Sequence, residues 1–297
     1  MRKKRQPPDV ESVGVPALDW PDEEEVYQRA CAQWERTNEL IRLRAAQRLV
    51  YSHGPVCHVY SADWHLGGSG VDYPRLFGEL ELVAATPGMR LVVLGDLVNQ
   101  FVIGKLRAAR DNAALGIVEE WALVRRGLRI VGDKLDAVIG GNHEGWAEKL
   151  IGVDYFREVV AAINPEVLYD ADDSRITLQI GDWEIPARFR HKWAGFSIYN
   201  DTHGIERAAK WDQDFVLGVG AHFHRGGQAR PFTVGGQAGM AVTVGTYKTN
   251  DRHARRGGFP LPGPATSVAV LFDEDTRSMT GFQNLEMAAK YMREVYG

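Results

Sequence analysis

Along the middle of the chain, short apolar runs that end in polar residues alternate with amphipathic stretches. Val56–Ser61, Leu91–Leu94 and Ala137–Ile139 have the length and content of buried strands, and Pro74–Ala85 and Asp111–Val131 read as the helices between them. This β-α-β-α-β rhythm predicts parallel strands covered on both faces, with polar loops gathered at the strand ends where sites of such folds lie. Beyond Val167 the period shortens. Arg175–Ile180 and Trp183–Phe189 around Gly181-Asp182 predict a hairpin, and Phe215–Val219, Pro231–Val234, Met240–Val244, Ser267–Phe272 and Ser278–Phe282 predict further strands before a terminal helix at Leu285–Val295. At the other end, Pro21–Val50 predicts one helix or two: Pro and acids open it, Arg closes it, and Val26, Ala30, Trp34, Leu40, Ile41 and Ala45 recur at roughly helical spacing. That stretch is expected to be a packing or oligomerisation arm with one face docked on the domain that follows.

Composition narrows the classes only a little. A chain of 297 residues with 44% hydrophobic content buries a sizeable core, and a net charge of -4 marks neither a general nucleic-acid binder nor a membrane binder. Met1 to Gln6 are basic, but no apolar secretory stretch follows, and no run approaches the roughly 18 apolar residues of a membrane span. Cys31 and Cys57 fall in a helix and a strand and are expected to be reduced thiols, which fits a cytoplasmic location.

The chemistry lies where the strands end. Val56–Ser61 leads to Asp63 and His65, Leu91–Leu94 to Gly95-Asp96 and Asn99, and Ala137–Ile139 to Gly140-Gly141-Asn142-His143-Glu144. Farther on, Trp183–Arg190 leads to His191, and Phe215–Val219 to His222-Phe223-His224. Asp63 and His65 are two apart, so in extended chain both face one side, where one ion takes an oxygen and a nitrogen. Carboxylate, amide and imidazole without thiolate suit Mn, Fe or Zn rather than an iron–sulfur cluster or a structural zinc site. Two ions about 4 Å apart would share a ligand, and a carboxylate, with two oxygens, is the natural bridge. His58, before the site, reads as core, and Asp133, Asp136 and Asp182 as turn or cap residues.

These five ordered motifs, Asp63-x-His65, Gly95-Asp96-x-x-Asn99, Gly141-Asn142-His143-Glu144, a solitary His191 and His222-x-His224, resemble those of the calcineurin-like metallophosphoesterase superfamily. The resemblance implies an α/β fold: a four-layer α/β/β/α sandwich of two mixed sheets flanked by helices, here with an N-terminal helical extension. Residues 1–53 would be the basic tail and extension, and 54–297 the metallophosphoesterase domain. It also implies two divalent metal ions, manganese foremost, with Fe, Zn, Ni and Mg as alternatives. Asp63, His65, Asp96 and His224 would hold one, and Asp96, Asn142, His191 and His222 the other, with Asp96 as bridge. His143 resembles the residue that contacts the scissile phosphate and protonates the leaving group. Two positions depart from the common pattern: Ala221 stands where glycine usually precedes the histidine pair, and Asn99 where many members have Asp. His203, before Gly204, rivals His191 for the solitary-histidine role; His191 is preferred because it ends a strand about thirty residues before His222.

The implied activity is hydrolysis of a phosphate ester by a metal-activated hydroxide. Lys248, Arg252, Arg255 and Arg256 concentrate positive charge shortly after the last motif, and with Arg225 and His203 they form the expected substrate-binding set. The stretch from His191 to Gly204 and the basic loop resemble superfamily members carried by bacterial viruses and prophages. Together these favour a phosphodiesterase or nuclease acting on nucleic acid. The alternative is a phosphatase or phosphodiesterase for a small nucleotide or a phosphoprotein, to be told apart by whether the cleft is an open basic groove or a closed pocket. A non-catalytic scaffold would be expected to have lost ligand residues, and none is missing.

Overall fold

The computed structural model describes residues 21–45, 47–100, 113–195, 197–249 and 263–297. The chain divides into two compact units, residues 1–43 and 44–297. The first holds most of α1 (Glu23–Ala45), whose first turn carries Glu23, Glu24 and Glu25 at the positive end of the helix dipole. Val26, Trp34, Leu40 and Ile41 are exposed. The helix stops short of the sequence expectation: Gln47–Tyr51 is not helix but strand β1. Its residues alternate between half-buried and exposed, as at a sheet edge, and Leu49 and Tyr51 reach the core while Val50 faces solvent.

The second unit is built on two six-stranded sheets. One contains β2 (Val56–Ser61), β3 (Met89–Val93), β4 (Leu135–Ile139) and β5 (Leu168–Asp170), all parallel, extended by antiparallel β11 (Val268–Asp273) and β12 (Ser278–Phe282). The other runs β1, β6 (Asp173–Ile180), β7 (Trp183–Arg190), β8 (Leu217–Gly220), β10 (Gln237–Thr243) and β9 (Gln228–Val234). Within it β7, β8 and β10 are parallel neighbours, and the β6–β7 and β10–β9 pairs are antiparallel. Both sheets are therefore mixed.

Strand β2 shows why the layers form. All six of its residues are buried, and successive side chains serve opposite faces. Val56 and Tyr60 join the core between the sheets, while Cys57 and Val59 join the core beneath the helices. That outer core takes in Leu76 and Leu80 of α2 (Tyr73–Ala85), Val124 and Leu128 of α3 (Ile117–Val131), Phe156 of α5 (Tyr155–Ala161) and Met292 of α7 (Leu285–Tyr296). On the far side, Ile205 and Ala209 of α6 (His203–Asp212) pack with Trp193 and Phe215 against the second sheet. The result is helix, sheet, sheet, helix, as expected. Helix α3 begins at Ile117; the expected start at Asp111 lies outside the described residues. Three short helices went unread in the sequence: α4 (Asn142–Ile151), α5 and α6.

Asp136 is neither turn nor cap. It sits buried on β4 and accepts hydrogen bonds from Arg90 and Tyr51, the latter also bonded to fully buried His58. Both cysteines are free thiols, and burial pushes Cys57 up to about 12. Among the described residues no helix is long and apolar enough to cross a membrane.

Candidate metal centre

The C-terminal ends of β2, β3 and β4 in one sheet and of β7 and β8 in the other deliver the five motifs to one place. Three overlapping groups of ligand-capable atoms result: Asp63, His65 and His224; His65, Asp96 and His143; and Asp96, His191 and His222. Within each, the nitrogen and oxygen atoms lie within 4.8 Å of one another. Asp96 Oδ2 stands 3.1 Å from His191 Nε2 and 3.8 Å from His143 Nε2, so this carboxylate occupies the middle of the array. Asp63 Oδ1 lies 3.2 Å from His224 Nε2 and 3.7 Å from His65 Nε2.

The local backbone is unusual. Asp63, His65, Asp96, His222 and His224 account for five of the seven non-glycine residues at positive φ among the described residues. Gly95 is also at positive φ, and a Cβ there would lie 2.3 Å from the Gly141 nitrogen, so only glycine lets the second and third loops touch. Ala221, by contrast, is not at positive φ, so the position where a glycine was expected tolerates a methyl group; the turn falls on His222 at φ 81.

These donors suit cations. His65 Nε2 faces His224 Nε2 at 2.9 Å and His222 Nδ1 faces His191 Nε2 at 3.2 Å, so imidazole nitrogens point at one another. The Oδ1 atom of Asn142 is buried without a hydrogen-bond partner in the protein, which is how a carbonyl oxygen reserved for an ion looks. Tautomers are set from behind: His191 Nδ1–H donates to the Leu94 carbonyl at 2.5 Å, leaving Nε2 to face Asp96. The electrostatics show the same crowding. Burial, then the neighbouring His224 and His143 rings and Lys248, hold His65 well below its ordinary value. Burial and His191 press His222 down to about 4. Burial opposes charge on His191, yet Asp96 pushes it up to about 10; burial likewise opposes charge on Asp96, whose carboxyl the His191 and His143 rings hold well below the carboxylate range.

Structure separates the two rival histidines. His191 is buried against Asp96, whereas His203 is exposed at the start of α6 and belongs to none of the clusters. His143 donates from Nδ1 to the Asn99 carbonyl at 2.8 Å, which turns Nε2 toward Asp96. Of the expected substrate-binding cations, Arg225 is ion-paired with Asp201 at 2.7 Å, and Lys248 Nζ donates to Asn99 Oδ1 at 3.2 Å. Arg252, Arg255 and Arg256 lie outside the described residues.

Two residues acquire roles that the sequence did not assign them. Glu144 is buried and accepts from the backbone N–H groups of Asp96 (2.9 Å), Leu97 (2.7 Å) and Gly141 (3.0 Å), tying the second motif to the third. Burial and the Asp96 charge push its carboxyl up to about 7, against the pull of those donors. Its signal was a glutamate three residues into a helix that begins after glycine, a capping position. Trp146 lies three residues past His143, with the two ring centroids 4.2 Å apart.

No family model and no curated protein matches the chain. Among solved structures, it is similar to vacuolar protein sorting 29 from Cryptosporidium parvum (14% identity, 77% of this chain and 99% of that one, TM-score 0.40). Vps29 complexed with zinc from Entamoeba histolytica aligns at 11% identity over 76% of this chain and 97% of that one, TM-score 0.36. The sulfate thiohydrolase SoxB of Thermus thermophilus, in complex with glycerol, aligns at 10% identity over 82% and 60%, TM-score 0.39.

Proposed function

We propose that this chain is a calcineurin-like, two-metal phosphodiesterase that cuts nucleic acid, of the kind found among bacterial viruses, working in the cytoplasm with manganese. The observation that carries the hydrolase reading is the convergence of five strand ends on Asp96, with an oxygen–nitrogen cluster on either side of it. Asp63, His65 and His224 would hold one ion, Asn142, His191 and His222 the other, and Asp96 both. Two such ions supply positive charge for the phosphoryl oxygens and bring the ionisation of water toward neutral pH. The donor set, oxygen and imidazole without sulfur, is compatible with manganese and disfavours ions that prefer thiolate.

The protein's own groups do the rest. His143 keeps its Nδ1–H on the Asn99 carbonyl and presents Nε2 to the site, where the protonated ring gives its Nε2 proton to the departing oxygen and is left neutral; burial, which lowers its pKa, favours that release. Lys248, held on Asn99, adds a positive charge beside it that favours an anionic phosphate. Glu144 fixes the spacing of the two loops through backbone N–H groups. The cations from Lys248 to Arg256 support a polyanionic substrate. The test is hydrolysis of bis(p-nitrophenyl) phosphate and of DNA with Mn, Ni, Mg and Zn in turn. Activity should require an added ion and vanish with chelator; full turnover by protein shown to be metal-free would refute the reading.

A further inference from the structure

Beside the candidate metal centre lies a cleft of about 570 Å³, bounded by the Gly140-Gly141 loop, the first turns of α4, the Gly152–Asp154 turn and the end of β7. Asn142 and His191 form part of its wall, so it opens directly onto the centre. Its volume falls within the roughly 300–1,000 Å³ of small-ligand clefts. Trp146, its ring tilted against that of His143, and Tyr169 supply aromatic surface.

The charges on its wall bear on substrate class. Lys149, Arg190 and Lys192 are offset by Glu144, Glu148, Asp154 and Asp172. Asp154 is engaged by the Tyr169 hydroxyl at 2.8 Å, and Arg190 Nε stands 3.9 Å from Asp173. A groove that tracks a nucleic-acid backbone is positive along its length and offers successive stacking surfaces. This one has no excess of positive side chains and ends at a turn. It suits a compact group with one aromatic ring system and one phosphate.

We propose that the cleft holds a single nucleoside esterified to the scissile phosphate, so that the enzyme acts on a terminal nucleotide or a free nucleotide diester and not on internal bonds of a polymer. This rests on the two-metal reading above, and it narrows that reading to one nucleotide at a time. The base lies by Trp146, the phosphate faces Asp96 and His143, and Lys192, next to His191, neutralises the remaining phosphate oxygen.

Two measurements decide it. In the first, adenosine 5′-monophosphate binding is followed by calorimetry, with metal content determined on the same samples. Trp146→Ala should weaken binding by about tenfold or more, as loss of a stacking surface does, and Trp146→Phe should restore most of it. Lys192→Ala should weaken it severalfold while metal content stays full. In the second, covalently closed single-stranded DNA circles, the same DNA made linear, and a dinucleotide are offered in parallel. Circles should survive; cleavage of linear DNA identifies a chain terminus as the source of the nucleotide, and cleavage of the dinucleotide alone identifies a free diester. Circles nicked as fast as linear DNA is degraded, or monophosphate affinity equal in Trp146→Ala and the parent, would overturn the proposal. The two readings fail separately: absence of bound metal and of aryl diester hydrolysis removes the hydrolase, whereas the binding comparison judges the cleft.

Discussion

His58 offers a test of the fold that does not involve the metal loops. It is fully buried between β3 and β11 and bonded through Nε2 to the Tyr51 hydroxyl at 2.8 Å and through Nδ1 to the Tyr60 hydroxyl at 3.3 Å. Tyr51 donates to Asp136, so a neutral His58 donates from Nε2 to Tyr51 and accepts from Tyr60, and every partner is satisfied. Burial lowers it to about 4; Asp136 opposes that shift and Arg90 reinforces it. Because the folded value lies below the unfolded 6.5, the unfolded chain takes up the proton first as pH falls. The stabilisation from a neutral His58 is therefore complete above about 6.5 and is lost on the way down to about 4. Between pH 7 and pH 5 the loss is about 2 kcal/mol from this side chain. Urea unfolding at both pH values, in chelator so that release of ions does not contribute, measures it through the midpoint at constant slope. His58→Gln keeps a donor and an acceptor but cannot titrate, so its stability should fall by about 2 kcal/mol less over the same interval. The buried histidines of the metal loops titrate in both proteins and cancel. An identical decline in parent and variant would show that His58 is charged when folded or that its cavity admits water.

The metal centre yields four further expectations. Asp96→Asn should reduce occupancy of both ions and Asp63→Asn mainly one, as elemental analysis would show, because Asp96 groups with His65 and His143 on one side and with His191 and His222 on the other. His143→Ala should keep its ions yet lose roughly 100-fold in turnover, less for a substrate with a very good leaving group, since what it removes is a proton donor. Lys248→Ala should slow hydrolysis of a small aryl diester as well as DNA, because its ammonium is held beside His143; Arg255→Ala with Arg256→Ala should weaken DNA binding and flatten its salt dependence alone. Glu144→Ala should lower the free energy of unfolding by at least about 2 kcal/mol in urea melts, since buried N–H groups lose their acceptor.

Much of the fold was legible because the first sheet is buried on both faces. Val56–Ser61 has no exposed position, and such a run, bounded by Gly54-Pro55 before it and polar residues after it, has clear ends. Gln47–Tyr51 was misread for the opposite reason: it is an edge strand, only partly buried, and no glycine or proline separates it from α1. Helix α6 carries Thr202 before it and Ile205, Ala208 and Ala209 at helical spacing, a signal masked by its histidine-bearing approach. The site was legible as a set of strand ends, since parallel strands must present their C-terminal loops together. What local sequence could not supply were contacts between distant segments. The Glu144 carboxylate reaches backbone nearly fifty positions away, Lys248 bonds to Asn99, 149 positions away, and Arg225 meets Asp201.

The strained backbone of the motifs ties the two halves of the sandwich together. A left-handed conformation costs an ordinary residue roughly 1–2 kcal/mol, and five ligand-type residues adopt it. Such a set persists only where the surroundings leave no alternative. Here they do not: Asp63 N–H is bonded to Gly95 O and His65 N–H to Asp96 O, so the first loop is stitched to the second within one sheet. Across the sandwich, His222 N–H donates to Asp63 Oδ2 at 2.9 Å and Thr246 Oγ1 to Asp63 O at 2.8 Å. Asp63 thus presents a carboxylate oxygen to His65 and His224 and is also the clasp between sheets. The strain is shared by loops from both sheets, and relaxing any one of them breaks hydrogen bonds that hold another. Any cation held there would meet donors whose backbone is fixed by these hydrogen bonds.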